Sequence, residues 1–238
     1  MVKIINAAGK EDQLPSEYAK LENAFTIAGD AMKESLKLLD APDFHTKTSW
    51  KLDCKSEDMT VHYKDFPDGR YFAARCKLPI SAKDLIKHYR DDVEKDSEWD
   101  ENIKFVKKLY QITDNIDIVH NVSNDVMIIK SREFLTARCF REYKNGYLLA
   151  GRSIDLKELP ETSAAIRAYM HLLMGFATPD PEDPDHSCIY DTVACMDMKG
   201  MLFKSAVNQI MGRITIKDME NLRDHCKNVL RKELYPNL

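Results

Sequence analysis

Enzymes of the common classes place a nucleophile, a base or a phosphate cradle at fixed spacings, and this sequence offers few such arrangements. Its eight glycines include no Gly-x-Gly, which removes the dinucleotide turn and the Walker loop, so no nucleotide cofactor is expected. There is no Gly-x-Ser-x-Gly elbow and no His-Glu-x-x-His helix. Of the seven histidines only His186 stands near a cysteine, Cys188, and that pair reads as a loop. The six cysteines (Cys54, Cys76, Cys139, Cys188, Cys195, Cys226) form no Cys-x-x-Cys, and Cys139 and Cys195 lie in apolar runs where a thiol packs as a small hydrophobe. Buried free thiols in a reducing compartment are expected rather than disulfides. An acid–base pair would have to come from His120 with Asp117 or Asp191, and His120 reads more simply as a strand residue. The acidic run Asp180 to Asp185 lacks the glycine and ligand spacing of a calcium loop, so a solvated loop and no metal are expected. Asn121-Val122-Ser123 matches a glycosylation sequon, which a cytosolic chain does not present to that machinery. Arg138, between Ala137 and Cys139, reads by itself as a surface strand residue paired across to an acid.

The elements that must position these residues follow from the hydrophobic period. The chain has 238 residues, enough for one large domain, and its 35 basic and 39 acidic residues leave a charge of -4, so no basic field holds nucleic acid. No run of about 18 apolar residues occurs. The opening Met-Val-Lys-Ile-Ile-Asn has neither a signal-peptide core nor an Arg-rich transit pattern, so a cytoplasmic chain is expected. After a polar leader over residues 1–15, Pro15-Ser16 starts a helix with Tyr18, Leu21, Phe25, Ala28, Met32 and Leu39 on one stripe, ended by Pro42. The period then changes to two around Trp50–Cys54 and Met59–Tyr63, and a Pro67-Asp68-Gly69 turn leads to a third strand, Tyr71–Lys77. Ser81 and Asp84 form a capping box before the stripe Leu85, Ile86, Tyr89 and Val93. Strands are predicted at 103–112, 116–122, 134–143, 147–154, 168–176 and 188–197, with the Lys144-Asn145-Gly146 hairpin the clearest turn. About nine strands, mainly antiparallel, precede one long helix from Gly200 to about Leu230. The class is α+β, and a sheet curved around a helix either closes as a core or encloses an apolar ligand.

Particular segments then resemble a known family. Glu98-Trp99-Asp100-Glu101-Asn102-Ile103-Lys104 is similar to a Glu-Trp-Asn-Pro-Asn-Val-Lys segment of the START (steroidogenic acute regulatory protein-related lipid transfer) domain family. Ile118-Val119-His120, Ser131-Arg132-Glu133-Phe134, Ala137-Arg138-Cys139, Leu149-Ala150-Gly151, Pro160-Glu161, Ile166-Arg167-Ala168, Asp197-Met198-Lys199-Gly200 and Lys204 to Gln209 follow in the family's order, covering roughly residues 98–232. The resemblance lies nearest the sterol-binding branch. It implies a helix-grip fold over residues 16–238, a curved antiparallel sheet around a long C-terminal helix with one lipid between them, and no catalysis.

The resemblance also implies a site. Sterol-binding members carry an acid where this chain has Asn121 and an arginine where it has Arg138, so the family's internal ion pair is not expected, and Arg138 with Asn121 would orient the lipid's polar end. Val119 and Thr136 stand beside them, and Val207, Met211 and Ile214 face the ligand from the helix. Ser123 to Ser131 corresponds to the family's Ω-loop, with Met127, Ile128 and Ile129 as the apolar tip of a gate that can touch a bilayer. The final helix carries seven basic residues against four acidic over 204–233, a bias toward anionic headgroups. Gly212 is either a hinge in that helix or a close-packing residue. The expected cargo is a sterol such as cholesterol, with a carotenoid, phospholipid, ceramide or fatty acid as alternatives. The expected role is a monomeric carrier that meets membranes transiently, with a lipid-sensing adaptor and a helix-grip cyclase or hydrolase as rivals.

Overall fold

The structure, a computed structural model, describes residues 3–162 and 165–237. The first described residues form a hairpin of β1 (Ile4–Ala7) and β2 (Lys10–Gln13). Its turn residues Ala8 and Gly9 both take positive φ, 54° and 73°, the backbone that lets a two-residue turn follow the twist of its strands. Only Ile5 and Ala7 of β1 are buried. The hairpin is also pinned from a distance: Arg141 Nε donates to Ala7 O at 3.1 Å, and the same guanidinium meets Asp12. Residues 4–13 of the expected leader therefore form a hairpin packed on the sheet.

The expected first helix is split in two. A 3₁₀ segment (Ser16–Leu21) contains Tyr18 in non-helical geometry and leads into α1 (Glu22–Asp40); Pro42 begins α2 (Pro42–Thr46) after an extended Ala41. Strands β3 (Lys51–Lys55), β4 (Thr60–Phe66) and β5 (Gly69–Leu78) form the first meander. Helix α3 (Ala82–Asp91) starts at the expected cap, with Asp84 N donating to Ser81 Oγ at 3.1 Å and Ser81 Oγ donating to the Asp84 carboxylate at 2.7 Å. One turn of helix, α4 (Asp96–Trp99), precedes β6 (Ile103–Thr113), β7 (Ile116–Ser123), β8 (Arg132–Tyr143), β9 (Gly146–Ser153), β10 (Ile166–Arg167), β11 (Tyr169–Pro179) and β12 (Cys188–Asp197). Helix α5 (Lys204–His225) runs through a π-helical turn (Cys226–Leu230) into α6 (Arg231–Leu234).

The nine expected strands make one antiparallel sheet in the order β3-β4-β5-β12-β11-β9-β8-β7-β6, and the short β10 adds a parallel pairing to β8. The last strand, β12, therefore joins the first meander to the second. Ser163 and Ala164, inside the predicted connection between β9 and β11, lie outside the described residues.

Both faces of this sheet are covered, so alternation within a strand divides two cores rather than core from solvent. Ile118, Ala137 and Leu148 pack with Phe25, Ala28 and Met32 of α1. The opposite face carries Phe72, Leu149 and Tyr190, packed with Met211 and Leu222 of α5. At the β8–β9 turn the positive φ falls on Lys144 (50°) and not on Asn145 or Gly146. Gly146 is needed for space: an added Cβ would lie 2.6 Å from Ala177 O and 2.8 Å from the Phe176 ring.

Candidate functional site

Side chains two apart on a strand share a face, and residues directly opposite across an antiparallel pair share it too. In the β7–β8 register Asp117 faces Arg138, Val119 faces Thr136 and Asn121 faces Phe134, so these six form one patch. The patch looks toward α5. Between them lies a cavity of about 360 Å³, lined by Val119, Asn121, Thr136 and Arg138 from the sheet and by Met211, Ile214, Met219 and Leu222 from the helix. Tyr89, Val93 and Trp99 close a further side.

Six of the seven expected lipid-binding residues are thus brought together. Val207 is not: it borders a neighbouring hollow of about 330 Å³ with Arg70, His171, Lys204 and Asn208, and Phe72, Met196, Met198 and Met211 line both spaces. Of the expected gate, Ile129 is buried and lines the cavity, while Met127 and Ile128 form an exposed turn tip. Val126 and Ile129 bond to each other through both backbone groups (2.8 and 2.9 Å), which pushes Met127, at φ 53°, outward. Arg132 ties this loop to the segment before α5, donating from Nη1 to Lys130 O at 2.7 Å and from Nε to Met198 O at 2.5 Å.

The ion pair that Asn121 was expected to remove is present in another form. Arg138 donates from Nε and Nη2 to the two Asp117 oxygens at 2.8 and 2.7 Å, and from Nη1 to Tyr89 O at 3.0 Å. Both side chains are buried, Asp117 completely. Arg138 is therefore anchored to an acid on the adjacent strand, and a lipid oxygen can meet only its remaining N–H donors.

With that geometry in place, the START domain family profile matches residues 26–232. The chain belongs to the START domain family. Steroidogenic acute regulatory-like protein 1 of Caenorhabditis elegans is 32% identical over 223 residues, spanning 93% of this chain and 86% of that protein. The steroidogenic acute regulatory protein of Xenopus laevis is 27% identical over 198 residues, spanning 82% and 67%. The solved structure of human StAR-related lipid transfer protein 5 superposes with a TM-score of 0.75 at 16% identity, covering 87% of this chain and 98% of that one. The fold is the helix grip, and by its relatives this START domain stands nearest the steroidogenic acute regulatory proteins.

The acid–base pairs considered for an enzyme do not assemble in this START domain. His120 Nε2 lies 2.9 Å from Glu133 Oε2, Asp117 is held by Arg138, and Asp191 accepts from Arg75 at 2.8 and 2.9 Å. Burial pushes the Cys139 and Cys195 thiols up to about 12, which leaves them protonated and unreactive at neutral pH. Among the described residues no group of three or more His, Cys, Asp or Glu is placed to hold a metal ion, and no helix is long and apolar enough to cross a membrane. Asp180, in the acidic loop, pairs instead with Lys77 at 2.5 Å.

Gly212 sits where α5 crosses β3. An added Cβ would lie 1.9 Å from Asp53 Oδ2 and 2.8 Å from Cys54 Sγ, so close packing accounts for it and α5 runs through it unbroken.

Sequence reasoning passed over the polar end of the cavity, which Asp96, Asp100, Asn102 and Asp218 line. Asn102 Nδ2 donates to Asp218 Oδ1 at 2.8 Å, and Asp100 Oδ1 accepts from Asn102 N at 2.9 Å and Asn221 Nδ2 at 3.3 Å. Burial raises the Asp96 carboxyl to about 7 despite the opposing pull of Arg138, and burial with the nearby Asp100 raises Asp218 to about 7. Behind them His88 is lowered to about 4 by burial, with His225 adding to the effect. A signal for Asp218 was available: it falls four residues after Ile214 and four before Leu222, on the same helical stripe.

Proposed function

We propose that this START domain carries one apolar lipid, a sterol in first place, in the cavity between β7–β8 and α5. The observation that carries the reading is that cavity: about 360 Å³, walled by Val119, Met211, Ile214 and Leu222, with Asp100, Asn102 and Asp218 hydrogen-bonded together in its lining. Its size falls within the roughly 300–1,000 Å³ of ligand clefts. Uptake is partition without covalent chemistry. Burying a lipid's apolar surface at ~25 cal/mol per Å² offsets its departure from the bilayer, and the polar end orients it. Similarity to steroidogenic acute regulatory proteins favours a rigid sterol over a carotenoid, phospholipid, ceramide or fatty acid.

Loading requires contact with a membrane. Met127 and Ile128 on the Ω-loop and Met201 and Phe203 before α5 are exposed, and Arg132 holds the two segments together. These four apolar side chains, beside Lys204, suit shallow insertion at a headgroup surface by a monomer in the cytoplasm. The test is a titration with a fluorescent sterol, then with a carotenoid, phospholipid, ceramide and fatty acid. Saturation at one sterol per chain is expected; no saturation with any class would overturn the reading.

A further inference from the structure

The hollow of about 330 Å³ beside the lipid cavity is nearly as large as the cavity itself, and its lining is of a different kind: Asp68, Arg70, His171, Asp197, Lys204 and Asn208 all contribute to it. Its wall toward the cavity is shared, since Phe72, Met196, Met198 and Met211 line both spaces. Three of those four are methionines, whose unbranched thioethers repack at little cost, so one elongated ligand can occupy both spaces. Charge decides what the far end of that ligand carries. Arg70 pairs with Asp65 at 2.8 Å and Asp197 with Lys199 at 3.0 Å. Lys204 has no ion pair among the described residues, and Asp68 accepts from the Tyr71 hydroxyl at 2.8 Å. One free cation thus stands against one carboxylate without a cation, and the hollow offers no net charge to an ionic head. The Asn208 amide and the His171 ring, both half-buried, make no side-chain hydrogen bond among the described residues. Donors and acceptors are therefore interleaved, and hydroxyl groups, each able to donate and to accept, match such a lining.

We propose that this hollow is a headgroup subsite for an uncharged polyhydroxyl group of about one hexose, carried on a lipid whose apolar body fills the adjoining cavity, so that the chain takes glycosylated sterols in preference to free ones. A hexose takes roughly the volume of six waters, about 180 Å³ at ~30 Å³ each, and fits with a few waters beside it. Its hydroxyls can accept from Lys204 and the Asn208 amide and donate to Asp68. An anionic head would meet Asp68 and Asp197, and a cationic one Arg70 and Lys204, so either charge brings repulsion that the neutral head avoids. The inference rests on the lipid-carrier reading and specifies the headgroup that accompanies the cargo.

The test displaces a fluorescent sterol from the full chain near neutral pH with cholesteryl glucoside, cholesterol and cholesteryl sulfate, and with methyl glucoside as the head without its lipid. The glucoside is expected to compete about tenfold more strongly than cholesterol, through two or so added hydrogen bonds, and the sulfate no more strongly than cholesterol. Methyl glucoside should displace nothing, because it leaves the apolar cavity to the sterol. Asn208→Leu removes the amide but keeps the size of the side chain; it should cut glucoside affinity about tenfold and leave cholesterol within about threefold. His171→Leu should do the same more weakly and stands in if the first variant does not fold. A glucoside that competes no better than cholesterol, a sulfate that competes as well as the glucoside, displacement by methyl glucoside, or a glucoside preference surviving in both variants overturns the inference. Cholesterol binding at one per chain without glucoside preference defeats this inference alone; no binding of the fluorescent sterol or of any competitor defeats the carrier reading with it.

Discussion

Replacing Arg138 with leucine removes both charged hydrogen bonds from an Asp117 carboxylate whose side chain has no exposure, and it removes the donor to Tyr89 O. Breaking a buried pair from one side costs about 3–5 kcal/mol, because the remaining charge has no water to turn to. Lys108 Nζ, 3.7 Å from Asp117 Oδ2, remains as partial compensation and sets the expectation at the lower end, about 3 kcal/mol. For a chain of this size that corresponds to a fall in melting temperature of about 6–12 °C. Asp117→Leu strands the arginine instead and should cost a similar amount. The double variant Asp117→Leu/Arg138→Leu leaves neither charge and should be more stable than either single one, a coupling that a urea-unfolding cycle measures directly. A folded Arg138→Leu protein within about 0.5 kcal/mol of the parent, or a double variant as unstable as the sum of the singles, would refute the reasoning. The single variant also separates roles: if Arg138 is chiefly an anchor for β7 and β8, lipid affinity per folded molecule should fall less than stability does.

Further outcomes follow from the same contacts. Asp96 keeps its proton up to about pH 7 in the folded chain and releases it near 3.8 when unfolded. Its stabilising contribution is therefore complete below about pH 4 and lost as pH rises through 7, so Asp96→Asn should gain on the parent over that interval, by at most about 4 kcal/mol, in melts taken across pH. A constant difference from pH 4 to 8 would contradict this. Gly212→Ala forces the Asp53 carboxylate aside and should lower the melting temperature, with Asp53→Ala in the same chain recovering much of the loss; stabilisation by Gly212→Ala alone would restore the hinge idea. Met127→Asp with Phe203→Asp should weaken co-sedimentation with anionic vesicles and slow transfer while leaving sterol affinity in solution unchanged. Equal vesicle binding would move the docking surface elsewhere.

Much of the fold can be read from local pattern. Period-two runs such as Trp50–Cys54, the Ser81–Asp84 cap and the breaks at Pro42 and Pro67 each act within a few residues, and all nine main strands follow from them. What resists reading is set by register and by distance. The acid for Arg138 is Asp117, which nothing in either local sequence specifies; the pairing of β7 with β8 puts them face to face. The N-terminal hairpin buries too little of itself to announce a structure and depends on Arg141, 134 residues away from Ala7. Lys144 takes the strained turn position while Gly146 serves a neighbouring strand, a distinction that only the approach of Ala177 reveals. The cavity wall was legible where periodicity and resemblance met, at Val119, Thr136, Met211 and Ile214. Val207 borders the adjoining hollow because α5 passes from one hollow to the next within about one turn. Asp96 could not be assigned to the site until the fold packed α4 on β6 and so brought it to the cavity that β7 and α5 line.

The central claim is one lipid inside each chain, and native mass spectrometry of the full chain after exposure to sterol-containing vesicles tests it most directly. A single added mass of one sterol per chain is the predicted result. Ala194→Trp, which fills the cavity from the sheet side, should leave the chain folded and abolish the added mass. A folded parent chain that carries no sterol, carotenoid, phospholipid, ceramide or fatty acid, or an Ala194→Trp chain that carries lipid as well as the parent does, would contradict the account.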